Sequence, residues 1–263
     1  MSSAIGFPAP LLGEKSVRTP VLFSGEGIVA ILKPPGVAWD DHPWNPGAPH
    51  LIGAWREQLA AGKPELVALG LARPASVHYI EPEVGGVGLV ADRESASLDR
   101  WRNAFGSGQL VFTYRMLAFL ADAPEEGGEC PLPVAAHRTE ARALVSHSTG
   151  KKSLTTFRRV EAIGKWAIWE AVTTLPRPHQ VRLHASEAGI RIVGEKRYGE
   201  SGDIRLSELR RKGRLNKGED RVINDGLMLR LASVDCSHLG FGVISGEDES
   251  WTGLIERLRD AKI

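Results

Sequence analysis

The chain has 263 residues with 33 Lys and Arg against 32 Asp and Glu, a net charge of +1, and 42% hydrophobic residues. That balance is an ordinary globular one and excludes a chain that binds nucleic acid through bulk charge, so any basic surface must be local. Two cysteines, Cys130 and Cys236, supply neither a disulfide framework nor a metal-ligand cluster; a reducing cytoplasm is the expectation, and no run is long or apolar enough to span a bilayer.

In chain order, residues 1–20 are rich in Pro, Gly and Ser and read as a flexible N-terminal arm. Residues 21–24 and 27–32 predict two short strands around a turn at Gly25–Gly27, and Lys33-Pro34-Pro35-Gly36 ends the second with rigid turn chemistry. The stretch 38–50 holds Trp39, Asp40, Asp41, His42 and Trp44 without a repeating ligand spacing, and reads as a surface connection stiffened by proline. Leu51, Ile52, Trp55 and Leu59 share one face of a helix over 51–60. Strand patterns follow at 67–71 and 76–80.

His78 to Ala91 is the stretch around which the chain is organised: Glu81, with Glu83 two residues on, stands in a segment otherwise rich in apolar and glycine residues that leads into the apolar run Val87–Ala91, a buried strand. A carboxylate at the mouth of such a strand is costly to desolvate without a cationic partner or a chemical task. Gly85, Gly86 and Gly88 do not fit a dinucleotide fingerprint and point to close backbone approach. Ser95 caps a helix through Phe105, 110–120 is β-rich and carries Tyr114, and 154–162 with 165–174 form a hairpin around Gly164. Pro178 opens a helix ending at Gly189, on which His179 and His184 read as packing or capping residues. Residues 191–199 read as strand and turn, and 205–221 as a basic run. Strands at 226–236 and 240–244 and a helix over 251–258 close the chain. The class is α+β with a mixed, mostly antiparallel sheet flanked by helices and loops.

Taken together and in order, these stretches resemble the RluA-type pseudouridine synthases. The family's strand and Lys-Pro-Xaa-Gly turn is met by Ile31–Gly36, its catalytic stretch by His78–Ala91, its tyrosine segment by Tyr114–Ala118, its Gly-Lys turn by Gly150–Ser153, its Arg-Thr-His-Gln-Ile-Arg-Xaa-His motif by Arg177–His184, and its Gly-Asp-Xaa-Xaa-Tyr-Gly by Gly194–Gly199. The resemblance implies a single catalytic domain over 21–263, without the family's separate N-terminal RNA-binding domain. It also implies an isomerase that turns uridine into pseudouridine in rRNA or tRNA, acting as a monomer without metal or cofactor. Carried over by position, Glu81 is the catalytic carboxylate, Arg177 its partner and Tyr114 the ring against the base; Tyr79, Lys33 and Arg182 are the candidate RNA contacts. The family has Asp at the position of Glu81, Arg at that of Tyr79, and Gly and Thr where Pro176 and Pro178 flank Arg177. The alternative is a non-catalytic RNA-binding homologue that keeps the fold.

Overall fold

The computed structural model describes residues 4–42, 44–121, 123–199, 201–209 and 220–261. It divides into two compact units, each assembled from separated stretches: the first from residues up to Phe112 with Thr174–Pro178 and Leu231–Gly246, the second from Thr113–Thr173, His179–Arg230 and the residues from Glu247 on.

The first unit begins with β1 (Ala4–Phe7), β2 (Val17–Gly25) and β3 (Ile28–Lys33), followed by α1 (Leu51–Ala60), the single turn α2 (Pro64–Val67), β4 (Pro74–Ser76), β5 (Gly85–Asp92) and α3 (Ala96–Gly106). Glu26 and Gly27, both at positive φ, make the tight turn that joins β2 to β3, as a two-residue hairpin of right-twisted strands requires. Sheet order is β1-β2-β3-β5, and β4 also pairs with β5. Every residue of β5 is buried, which is why its sequence up to the closing Asp92 is a run of Val, Leu, Ala and Gly instead of an alternation. In α1, Leu51, Ile52, Ala54 and Trp55 face the core, and the His50 ring caps it by accepting the Gly53 N–H at 3.1 Å. Ser95 caps α3 in the same way through Ser97 N–H.

Chain order continues with β6 (Val111–Phe119), β7 (Gly128–Cys130), β8 (Val134–Ala136), β9 (Ala143–Val145), β10 (Thr155–Ile163), β11 (Trp166–Thr173), α4 (Gln180–Glu187), β12 (Leu229–Asp235), β13 (Val243–Ser245) and α5 (Glu249–Asp260). In the second unit the order is β6-β11-β10-β7, with β8 and β9 a separate antiparallel pair. Trp166, Leu254, Ile255 and Leu258 pack with Leu117 in one cluster that seats α5. The fold is α+β, with its strands mostly antiparallel.

Several expectations change. The flexible arm contains β1, paired with β2, with Ile5 and Phe7 each 1% exposed. The strand expected at 67–71 is the end of α2 and a turn, because Pro64 is pre-set for the first position of a helix. The connection 38–50 is not all surface: the Trp39 ring is fully buried, and its N–H reaches the His78 carbonyl at 2.7 Å. Helix α4 starts at Gln180, not Pro178, because His179 takes a left-handed φ of 60° and breaks the turn. No strand forms over 191–199 beyond an isolated bridge from Ile192 to Ala118. Of the basic run, Arg210, Arg211, Lys212, Arg214 and Lys217 lie outside the described residues.

Candidate active site

Glu81 stands at the start of a turn closed by the Val84 N–H on the Glu81 carbonyl at 3.1 Å. The Lys33-Pro34-Pro35-Gly36 corner clamps this turn. Gly36 N–H donates to the Pro82 carbonyl at 2.8 Å, and the Lys33 ammonium donates to three carbonyls, of Pro34 (3.0 Å), Pro82 (3.1 Å) and Val84 (2.7 Å). Lys33 is 1% exposed, at the end of β3 and in register with Gly86 of β5. Burial draws its pKa down to about 7, against the opposing pull of Glu81 and Glu83. Glu81 itself is 7% exposed. A buried carboxylate is therefore held on a turn whose carbonyls are gathered by a buried cation, and the backbone that carries it has little freedom.

The glycines after Glu81 are required by this packing. A side chain on Gly85 would meet the Pro35 ring at 3.1 Å and the Lys33 carbonyl at 3.2 Å, one on Gly86 would overlap the Leu231 backbone, and one on Gly88 would overlap the Trp39 ring. Their close approach is to the protein's own backbone and to Trp39. Beneath the turn, His78 is buried and stacks on Trp39; it accepts the Leu89 N–H on Nε2 at 3.3 Å and faces the Tyr79 carbonyl through Nδ1. These two contacts suit the Nδ1-protonated neutral ring, and burial pushes the pKa down to about 4.

Arg177 is half-buried on the short stretch Thr174–Pro178, which folds with the first unit, so it shares a compact unit with Glu81 although far from it in sequence. Tyr114 is 4% exposed on β6, in the part that belongs to the second unit. Tyr79 is half-buried, with the His42 ring 5.2 Å away and Trp44 4.9 Å beyond it.

Two expected RNA contacts lie inside the protein. Lys33 spends its donors on backbone carbonyls, as above. Arg182, 3% exposed on α4, forms a two-pronged pair with Glu195 at 2.7 and 2.8 Å and lies over the Tyr198 ring. Its neighbours in the motif are occupied similarly. Gln180 Nε2 donates to the Leu154 carbonyl and to the Thr155 and Thr173 hydroxyls, and His184 bridges Thr155 and the Leu132 carbonyl. His179 contacts the Tyr198 hydroxyl at 2.8 Å. These residues build the second unit's interior. What the sequence did not show is the burial of Trp39, read as part of a surface connection, against Gly88 and the His78 carbonyl; the one local signal was Lys33, a lysine ending a wholly apolar strand.

The fold is that of the pseudouridine synthases. Human RNA pseudouridylate synthase domain containing 4 superposes with a TM-score of 0.67 at 15% identity, covering 91% of this chain and 92% of the other. Human RNA pseudouridylate synthase domain containing 1 gives 0.56 at 17% identity, covering 92% and 94%. By sequence the chain is similar to curated pseudouridine synthases. It is 24% identical over 238 residues to ribosomal large subunit pseudouridine synthase D of Zymomonas mobilis, covering 90% of this chain and 69% of that protein. To an uncharacterized RNA pseudouridine synthase of Synechocystis it is 26% identical over 198 residues, covering 73% and 58%. The chain thus spans between about half and two-thirds of the length of these and related curated proteins. No protein-family model matches the chain.

Proposed function

We propose that this chain isomerises uridine to pseudouridine in RNA, with Glu81 as the acting carboxylate, Arg177 as its orienting cation and Tyr114 as the ring against the base. The observation that carries the reading is the buried Glu81 on the clamped turn within a pseudouridine synthase fold. In this reaction the bond from the ribose to N1 of uracil breaks, the base turns, a bond from the ribose to C5 forms, and the C5 proton is lost as N1 gains one. A guanidinium fork beside the carboxylate keeps it ionised and aimed, and an aromatic face gives the displaced base a stacking surface. The chemistry needs no cofactor or metal. Lys33 acts as a positioning residue through the carbonyls of Pro82 and Val84. Uridines outside a helix, in rRNA or tRNA, are the natural targets, and a cytoplasmic monomer is the working form.

Glutamate reaches one methylene further than the family's aspartate, and a misplacement of ~1 Å can cost about 100-fold in rate. That substitution favours a second reading, a non-catalytic RNA-binding homologue. Tritium release from RNA transcribed with 5-tritiated uridine separates the two. The isomerase releases tritium and loses about 100-fold or more on Glu81→Gln. Release by Glu81→Asp alone, or by neither form while RNA binding persists, gives the second reading.

A further inference from the structure

Apart from Glu81, the first unit holds an open cavity of about 420 Å³ that the proposed chemistry does not use. Arg56 on α1, Arg73 before β4 and Arg93 after β5 line it, over a floor that includes Leu59, Ala60 and Pro74. The three guanidiniums come from three separate segments, and the backbones that present them are tied together. Arg56 Nε donates to the Pro74 carbonyl at 2.8 Å, Arg73 N–H to the carboxylate of Asp92 at 2.9 Å, and Arg93 N–H to the Arg73 carbonyl at 2.9 Å. Pro74 and Asp92 are cross-strand partners in the β4–β5 ladder. From α3, Arg102 fixes the next turn of chain by donating twice to the Ser76 carbonyl, at 2.8 and 3.2 Å.

Like charges gathered this way repel one another. Arg56 has its pKa lowered by burial, with Asp40 opposing and Arg93, Arg73 and Arg102 adding to the decrease. Asp40 and Glu94 offset part of this charge. The Asp92 carboxylate is spent on the N–H groups of Arg73 and Glu94, Asp40 faces His50 and Ser76, and Glu94 pairs with Arg73 at 3.2 Å with both side chains more than half exposed. An exposed pair of that kind is weak and exchanges readily for a stronger anion.

We infer that Arg56, Arg73 and Arg93 form a phosphate cradle that takes the backbone of the RNA substrate. Guanidinium forks match phosphate oxygens in pairs, and an apolar floor with no base-reading groups suits a sequence-independent contact. Pro74 leads to Glu81 in seven residues, a reach of at most about 25 Å, or roughly seven base steps at ~3.4 Å each. A phosphate in the cradle therefore falls within the footprint of one stem-loop whose target uridine is at Glu81. The RNA source of the phosphate rests on the proposed function; the phosphate chemistry does not.

The test uses the full chain and Arg73→Gln/Arg93→Gln, which spares the Arg56 bond to Pro74, with Arg73→Lys/Arg93→Lys as the form that keeps the charge. Each is titrated with a fluorescein-labelled transcribed stem-loop carrying uridines in its loop, between about 50 and about 200 mM KCl. The expected result is a slope of log K against log salt smaller by about 2 in the glutamine form, an affinity lower by about 10-fold or more, and a slope restored in the lysine form. In parallel, the melting midpoint is read with inorganic phosphate and with chloride at matched ionic strength. An unchanged slope with a phosphate-specific rise that only the glutamine form loses overturns the RNA source and keeps a free phosphate as ligand. An unchanged slope with no such rise overturns the cradle. A reduced slope in a protein that releases no tritium in any form leaves the cradle standing and sinks the catalytic reading instead.

Discussion

Trp39 lies where Gly88 has no side chain: a methyl group added there would overlap the six-membered edge of the indole, whose N–H is already fixed on the His78 carbonyl at 2.7 Å. One glycine in β5 thus admits the ring that supports the strand entry carrying Glu81. Gly88→Ala is expected to cost about 1–3 kcal/mol, the range for overpacking a core that cannot yield. Urea unfolding of the two forms measures it, and a loss under about half a kcal/mol would mean that Trp39 has room to move.

His78 sets an acid limit. Its pKa in the folded protein is about 4 against an ordinary 6.5. Between those values the unfolded chain binds the proton and the folded one does not. The contribution to stability is therefore complete above 6.5 and is lost as pH falls toward 4, by up to ~1.4 kcal/mol per pH unit. Unfolding free energies of the wild type and His78→Gln, compared at pH 7 and pH 5, are expected to converge or cross in acid; parallel curves would place the ring in contact with water.

Lys33 works in the opposite part of the scale. With a folded pKa of about 7 and an ordinary value of 10.5, the unfolded chain holds more protons between the two, so stability rises with pH across that window, again by up to ~1.4 kcal/mol per unit. Lys33→Met removes this rise and leaves the carbonyls of Pro82 and Val84 without their donor. Denaturant melts of both forms at pH 7 and pH 9 check the sign. A wild-type rise no larger than that of the methionine form means that three carbonyl acceptors hold the ammonium charged throughout.

Arg182 and Glu195 are a pair whose loss is felt unequally. Their side chains are 4% and 2% exposed, and Glu195 also accepts the Arg197 N–H at 2.7 Å. Arg182→Met strands a buried carboxylate and is expected to cost about 3–5 kcal/mol, while Arg182→Met with Glu195→Leu costs less than the first change alone. A double-mutant cycle in urea gives the coupling directly, and additive losses would show the pair to be solvated.

Local chemistry made much of this fold readable. The α1 stripe of Leu51, Ile52 and Trp55, the Ser95 cap and the Gly164 hairpin each depend on neighbours a few residues apart, and each forms as expected. What escaped depends on partners remote in the chain. Burial of Lys33 is decided by carbonyls some fifty positions on, and the Arg182 fork by Glu195 beyond the end of its helix. Charge and motif alone suggested RNA for both. Glu81 could be singled out because a carboxylate at the entry to an apolar, glycine-rich strand is conspicuous before its surroundings are known. The Arg56, Arg73 and Arg93 set could not, since its members are scattered singly and meet through the β4–β5 pairing and the Arg56 bond to Pro74.

The four-residue β1 is the outermost strand of its sheet, covering part of the nine-residue β2. Stripping it away would bare the β2 hydrogen-bonding rim and the pockets of Ile5 and Phe7, an invitation to self-association. For anyone preparing the protein, trimming away β1 is therefore a solubility hazard.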